Sequence, residues 1–259
     1  MMKPTANVIC IKWGDRYGAA DVNFLYAMVR RNITGHTLKF FCFTDDSEGL
    51  IGEIISKPLP KMNCDPAAVK YAYQKEAGLC DDGLGGLTGQ RVLYFDLDVI
   101  ITGELDCFIS YPGEDEFVIT QDWNVKKQNI GQASCYSWKV GSLGFIKQYF
   151  ESHPQQVVQQ FRTGSQEYLS AKVIEKWGTL KYWPEEWCRS FKFHALPPWY
   201  LRPFVEPKLP HGTRVLVFHG HPKIDDAITG VWDPAGVPFY KKVYKSIRPA
   251  PWISEYRKL

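Results

Sequence analysis

A ten-residue run, Val92-Leu93-Tyr94-Phe95-Asp96-Leu97-Asp98-Val99-Ile100-Ile101, constrains this chain more than any other segment. It reads as a buried strand that delivers two carboxylates flanking one apolar residue. Charged side chains are costly in such a run unless something pairs with them. In extended backbone, residues i and i+2 share a face, so Asp96 and Asp98 converge while Leu97 turns into the core. Two convergent carboxylates at a strand end suit a divalent cation, and that cation can hold a diphosphate. Taken alone, Asp-x-Asp equally describes two solvated aspartates at a strand terminus.

The flanking pattern predicts an α/β chain. Asn7–Lys12 is a short β-rich run, and a helix is expected from Asp21 as its cap, with Val22, Leu25, Tyr26 and Val29 at helical spacing. Leu38–Thr44 reads as a second strand closed by Asp45-Asp46. Strand–helix–strand order is a βαβ unit, which calls for a parallel sheet. Residues 67–79 read as helix, 81–89 as a glycine-rich loop, 117–120 as strand, 166–177 as helix and 215–218 as a late strand. No linker or repeat interrupts the chain. The expectation is one domain over 1–259, with a nucleotide-binding half (1–110) and a second half (111–259) that completes the site.

A net charge of +3 gives no argument for nucleic acid. The seven cysteines are dispersed without a C-x-x-C pair, as expected of reduced thiols rather than a disulfide framework or zinc site. No cleavage-like leader or membrane-length apolar run is visible, so a cytoplasmic protein is expected. The basic, aromatic tail (Tyr240, Lys241, Lys242, Tyr244, Lys245, Arg248, Trp252, Tyr256, Arg257, Lys258) suits docking on the chain's own core or peripheral contact with an anionic membrane face.

A second strand end carries chemistry. Val215-Leu216-Val217-Phe218 delivers His219, followed by Gly220, His221, Pro222 and Lys223. A strand-end histidine is often structural. Joined to Asp96 and Asp98 it makes a mixed carboxylate–imidazole donor set that suits Mn²⁺ or Mg²⁺ better than zinc. Gly220 lets backbone approach a ligand, and Lys223 adds a positive charge.

These segments resemble bacterial nucleotide-sugar glycosyltransferases of the GT-A fold, close to the family 8 type. The likeness rests on Asp96-Leu97-Asp98 with Val99–Leu105, on Phe218-His219-Gly220-His221-Pro222-Lys223, and on Trp13-Gly14-Asp15-Arg16-Tyr17 with Phe43-Thr44-Asp45-Asp46. The resemblance implies a GT-A-like, Rossmann-type mixed but mainly parallel sheet flanked by helices. It implies metal-dependent transfer of a sugar from a nucleoside diphosphate, a UDP-sugar in the first instance, to a glycan or glycolipid acceptor, with retention of configuration. On that basis Asp98 and His219 bind the metal, with Asp96 on the metal or the ribose beside Leu97. Gly220 and Lys223 contact phosphate. Lys12, Trp13, Gly14 and Tyr17 sit near base and ribose, Asp45 recognises the base, and Lys75 lies near diphosphate and sugar.

The pattern departs from the family at the sugar end. An Asp-Gln pair is expected at the head of the helix after the acceptor region, and this chain has Gly164-Ser165-Gln166-Glu167. A serine cannot replace a carboxylate as nucleophile or charge stabiliser. Gln166 and Glu167 remain candidates there, and Gln132 is the counterpart of the residue that faces the donor sugar. The wall from Trp183 to Phe204, with Trp187, Arg189, Lys192, Trp199 and Tyr200, is the candidate acceptor surface. Two other readings compete: a non-catalytic nucleotide-binding protein, and a phosphohydrolase of the haloacid dehalogenase type with Asp96 as nucleophile and Lys223, Asp225 and Asp226 as later partners.

Overall fold

The computed structural model describes residues 3–65, 69, 73–113, 117–124, 129–161, 164–232 and 246–259. In chain order the elements used below are β1 (Thr5–Lys12), α1 (Ala19–Asn32), β2 (Thr37–Thr44), β3 (Ile55–Pro58), α2 (Tyr73–Glu76), β4 (Arg91–Phe95), β5 (Val99–Ile101), α3 (Asp106–Ser110), β6 (Val118–Gln121), β7 (Gly131–Lys139), α4 (Gly144–Ser152), α5 (Pro154–Gln160), α6 (Ser165–Trp177), β8 (Lys181–Tyr182), β9 (Cys188–Ser190), β10 (Val215–Val217), α7 (Ile224–Thr229) and α8 (Ile253–Tyr256).

Seven strands form one sheet in the order β3-β2-β1-β4-β7-β6-β8. Its described pairings are parallel except those of β7, which runs against β4 and β6. Both faces of this sheet are covered, as near-continuous apolar strands require. From β1, Ala6, Val8 and Cys10 enter one core, while Ile9 and Ile11 enter the other. The first core takes Val22, Leu25, Tyr26 and Val29 of α1, the stripe expected from sequence. The second takes residues of α2, α4 and α6. The mixed, mainly parallel α/β class is therefore correct.

Three local expectations change. Helix α1 starts at Ala19, and Asp21 lies within its first turn, where its carboxylate accepts the Gly18 N–H (2.9 Å). Within 67–79 the described helical residues are Tyr73–Glu76, followed by a tight turn at Gly78–Cys80; residues 66–68 and 70–72 lie outside the described set. Most consequentially, Val92–Ile101 is two strands in two sheets. β4 lies between β1 and β7, whereas β5 pairs antiparallel with β10, which in turn lies parallel to β9. The backbone hands over at Asp96-Leu97-Asp98: Asp96 N–H donates to Ser134 O on β7 (3.0 Å), and Asp98 O accepts from Phe218 N–H (3.0 Å). A β-propensity pattern has no means of showing this change of partner, because both halves are apolar and buried.

Around the described tail, Trp252 Nε1 donates to Pro207 O (3.0 Å), and Arg257 pairs with Asp21 (3.0 Å) and Asp225 (2.6 Å). Residues 246–259 thus dock on the body; Tyr240, Lys241, Lys242, Tyr244 and Lys245 lie outside the described set. All seven cysteines are free thiols. Among the described residues, no helix is long and apolar enough to cross a membrane.

Candidate active site

A cleft of about 240 Å³ opens at the C-terminal ends of β1 and β4, the edge where parallel α/β sheets bind ligands. It is lined by Ile11, Trp13, Arg16, Tyr17, Lys75, Tyr94, Asp96, Leu97 and Asp98. Of the residues expected from sequence, Trp13, Tyr17, Lys75, Leu97 and both aspartates line this one cavity. Arg16 and Tyr94 were not singled out. Arg16 sits in the quoted loop, and Tyr94 shares its strand face with Asp96, so both were within reach of the same reasoning.

The two aspartates have different surroundings. Asp96 is held on every side: Lys75 Nζ reaches Oδ1 (3.0 Å) and Oδ2 (3.1 Å), the Tyr94 hydroxyl donates to Oδ1, and Ser134 Oγ donates to Oδ2 (2.7 Å). The Lys75 ammonium also meets Glu76 Oε1 at 3.0 Å. Burial works against the charge on Lys75, but Asp96 and Glu76 outweigh it and raise its pKa above the ordinary lysine range. Behind Ser134 stands Gln132, whose Nε2 donates to Ser134 Oγ (2.8 Å) and whose Oε1 accepts from Ser134 N–H (3.0 Å). Gln132 therefore orients Ser134, which in turn orients Asp96.

The Asp98 carboxylate accepts one described hydrogen bond, from the Tyr17 hydroxyl (3.0 Å). Burial and the neighbouring Asp96 charge push its pKa up to about 7, against the pull of Lys75, the Tyr17 hydrogen bond and Arg16. Burial and Asp98 raise the Tyr17 phenol in turn, so Tyr17 stays a donor. An under-compensated carboxylate beside a second carboxylate is an environment that a cation would relieve.

His219 is close in backbone but committed elsewhere. Its Nε2 is 2.8 Å from Ser190 Oγ, and its ring lies stacked with Trp123 (centroids 5.5 Å apart) and with Phe193 (5.6 Å). Burial and Lys192 lower its pKa, with Asp122 opposing, so the ring is neutral at neutral pH. Among the described residues, no three His, Cys, Asp or Glu side chains stand close enough together to hold a metal ion. The aspartate pair fits a hard divalent cation by oxygen chemistry and charge; the expected third ligand is not beside it.

Other expected residues divide. Lys12 is buried in the β1–β2 junction, bonded to Thr44 Oγ1 (3.4 Å) and Asp46 O (2.9 Å), and is not among the cleft-lining residues. Gly14 and Asp45 meet each other, N–H to Oδ2 at 3.0 Å, which closes the loop ahead of the cleft. Gly220 takes φ +71°, and the Lys223 N–H donates to Asp226 Oδ2 (2.9 Å) at the start of α7; neither lines the cleft. Asp225 pairs with Arg257 and Asp226 accepts the Lys223 N–H, so the two later aspartates of a phosphohydrolase reading are engaged in structure. Asp96, wrapped by three donors, is likewise no free nucleophile.

At the head of α6, Ser165 is buried, as a residue facing the protein interior. Gln166 Nε2 donates to Asp122 Oδ2 (2.8 Å), and Gln166 Oε1 faces Ala133 N–H (3.4 Å). Glu167 lies on the Tyr73 side, where its charge raises the Tyr73 phenol after burial and Glu76. Asp122 escaped the sequence reading, since nothing local marks a residue whose partners are 44 and 97 positions away. The aromatic wall also splits: Trp187 packs on Phe108 (5.0 Å) and Arg189 pairs with Glu185 (2.9 Å), while Trp199, Tyr200 and Phe204 are exposed.

No protein-family model and no curated protein sequence matches the chain. Solved structures do match in fold. A galactosyltransferase, LgtC, in complex with donor and acceptor sugar analogs aligns over 97% of this chain and 100% of its own, with TM-score 0.57 and 13% identity. The glycosyltransferase GlyE of Streptococcus pneumoniae TIGR4 aligns over 98% of this chain and 61% of its own (TM-score 0.58, 14% identity). WbbM, a bifunctional glycosyltransferase, aligns over 94% and 52% (TM-score 0.56, 11% identity). The fold is a GT-A glycosyltransferase fold. Within it the cleft occupies the strand-end edge of the parallel half, lined by Lys75 of α2, with Ser134 of β7 bonded to Asp96 behind it.

Proposed function

We propose that this chain transfers a sugar from a nucleoside diphosphate donor to a glycan or glycolipid acceptor, with a divalent cation bound at Asp96 and Asp98. The observation that carries the reading is one cleft joining an aromatic–basic wall (Trp13, Arg16, Tyr17, Lys75) to a carboxylate pair. Aromatic faces suit a base, cations suit phosphates, and carboxylates suit Mn²⁺ or Mg²⁺. Such a cation would neutralise charge on the diphosphate leaving group. Asp98 would be its principal ligand, since Asp96 is shared with Lys75, and His219 would join only by giving up its bond to Ser190.

The chain's own groups then have separate tasks. Tyr17 orients Asp98, and Ser134 and Tyr94 orient Asp96. Lys75 and Arg16 hold the donor phosphates. Gln166, tied to Asp122, stands at the sugar end, where Ser165 offers no nucleophilic carboxylate. Retention of configuration follows if the acceptor hydroxyl attacks on the face the phosphate leaves, with the departing phosphate taking its proton. That route needs no protein nucleophile.

The test is transfer by the purified chain with Mn²⁺ across a panel of nucleotide sugars and glycan acceptors, UDP-sugars first, followed by proton NMR of the fresh product. Transfer with the donor's anomeric configuration kept is the expected result. Tight metal-dependent nucleotide binding without transfer or hydrolysis across the panel would leave a binding protein instead.

A further inference from the structure

The stretch at 196–207 is a loop pinched at its base. Lys208 N–H donates to Ala195 O (3.1 Å), Leu196 and Pro207 at its two ends are buried, and Trp252 Nε1 holds Pro207 O (3.0 Å). Compact loops with adjoining ends of this kind sit on the surface and often carry function. Between those ends the apolar side chains are turned out. Phe204 is 78% exposed, Tyr200 59% and Trp199 57%, and Leu201 and Val205 are exposed beside them. A single exposed apolar residue needs no explanation, but five of the seven residues at 199–205 do.

The backbone of the loop asks little of water. Leu201 N–H donates to Pro198 O (2.8 Å), and the Phe204 and Val205 N–H groups donate to Leu201 O (2.9 and 2.8 Å). Pro197, Pro198 and Pro203 have no N–H to satisfy. A segment that enters an apolar medium must settle its donors internally, whereas a loop that stays in water has no such need. Charge is distributed to match. Arg202 is the one charged residue at 196–205, and it folds back, with Nε on Pro197 O (3.1 Å) and its guanidinium over the Trp232 ring (5.5 Å). Around the base stand exposed Lys192 and Lys208, and Glu206 is answered by Arg248 at 3.9 Å. An aromatic tip above a cationic collar complements a bilayer with anionic headgroups, rings at the interface and ammonium groups at the phosphates. Trp199, Tyr200 and Phe204 are not among the residues that line the cleft, and Arg257 of the basic tail is spent on Asp21 and Asp225.

We propose that the loop at 196–207 is a membrane-docking element, which sets its aromatic tip into the headgroup region of an anionic bilayer with Lys192 and Lys208 on the lipid phosphates. This goes beyond the transfer reading and does not depend on it, because binding to lipid is read without donor, acceptor or metal.

The experiment is sedimentation of the full chain with vesicles of phosphatidylcholine alone and of phosphatidylcholine mixed with phosphatidylglycerol, at low and high salt. Binding to the anionic vesicles that weakens with salt is the expected result. Trp199→Ser combined with Phe204→Ser, both at side chains the fold leaves exposed, is expected to lower that partition about tenfold or more with Tm unchanged. Lys192→Gln combined with Lys208→Gln is expected to lower it about tenfold on the anionic vesicles alone. Failure to sediment with either vesicle, or binding that survives loss of both rings, overturns the inference. Equal binding to both vesicles at all salt concentrations overturns the part given to the lysines. Light scattering without lipid decides the rival occupant: a dimer that the two ring substitutions dissolve, in a chain that ignores vesicles, assigns the patch to a second copy and overturns the bilayer.

Discussion

Replacing Asp98 by asparagine should stabilise the metal-free protein at alkaline pH. Burial and the neighbouring Asp96 charge push the carboxyl up to about 7 from an ordinary value of 3.8. A carboxyl with a raised folded pKa weighs against folding only where it must ionise. Below pH 4 it is protonated in both states and contributes nothing. Between 4 and 7 the unfolded chain releases its proton first, so stability falls with rising pH, and above about 7 the full penalty is present. At about 1.4 kcal/mol for each pH unit, the interval is worth about 4 kcal/mol. For a chain of this length that is about 8 °C in Tm. Asparagine keeps an acceptor for the Tyr17 hydroxyl, so little else changes. The assay is thermal or urea unfolding of both proteins in chelator from pH 4 to 9. The gap should be near zero at pH 4 and widen to its full size by pH 8. A gap independent of pH, or a less stable variant at pH 8, refutes the account of Asp98 as an under-compensated buried acid. The same variant should lose Mn²⁺-dependent nucleotide binding, so stability and binding move in opposite directions.

Ser190→Ala removes the hydrogen bond that holds His219 Nε2. If the imidazole must leave Ser190 to reach the cation, Mn²⁺ binds up to about tenfold tighter, as expected for one neutral hydrogen bond no longer broken; calorimetry showing weaker binding ends His219's role. Asp106 accepts from Thr34 N–H, Gly35 N–H and Thr34 Oγ1 and lies 2.6 Å from His36 Nδ1, tying α3 to the α1–β2 turn. Against the cost of burial these bonds, that with His36 foremost, depress its pKa to about 2. Asp106→Asn should cost about 2 kcal/mol at pH 6 in urea melts. That difference holds above pH 4 and vanishes as the pH falls through about 2, where the wild-type acid is also protonated. Gly230 closes α7 at φ +77°, and an added Cβ would stand 2.8 Å from the Pro249 backbone nitrogen. Gly230→Ala should therefore destabilise by about 2 kcal/mol, and an unchanged Tm would show that the tail yields.

Sequence reasoning located the cleft because its main signals are local. Asp96-Leu97-Asp98 announces itself by charge inside an apolar run, and Trp13 through Tyr17 follow directly from the first strand. Lys75 was placed by resemblance near diphosphate and sugar; its contact with Asp96 comes from the structure alone. Where reasoning went astray, the cause was an unseen partner. Lys12 looks available in sequence yet is used by Thr44 and Asp46, and Lys223 looks like a phosphate ligand yet begins a helix away from the cleft.

The residue order alone settles that this chain forms a covered, mainly parallel sheet with an acidic strand end, because apolar patterning and the cost of burying charge act over a few neighbours. Only the tertiary structure decides which charges are already compensated. It splits one apolar run between two sheets at Asp96-Leu97-Asp98, wraps Asp96 while leaving Asp98 short of partners, turns His219 toward Ser190, and sets Glu76 against Lys75. Electrostatic balance depends on distances between side chains far apart in sequence. No local pattern records those distances.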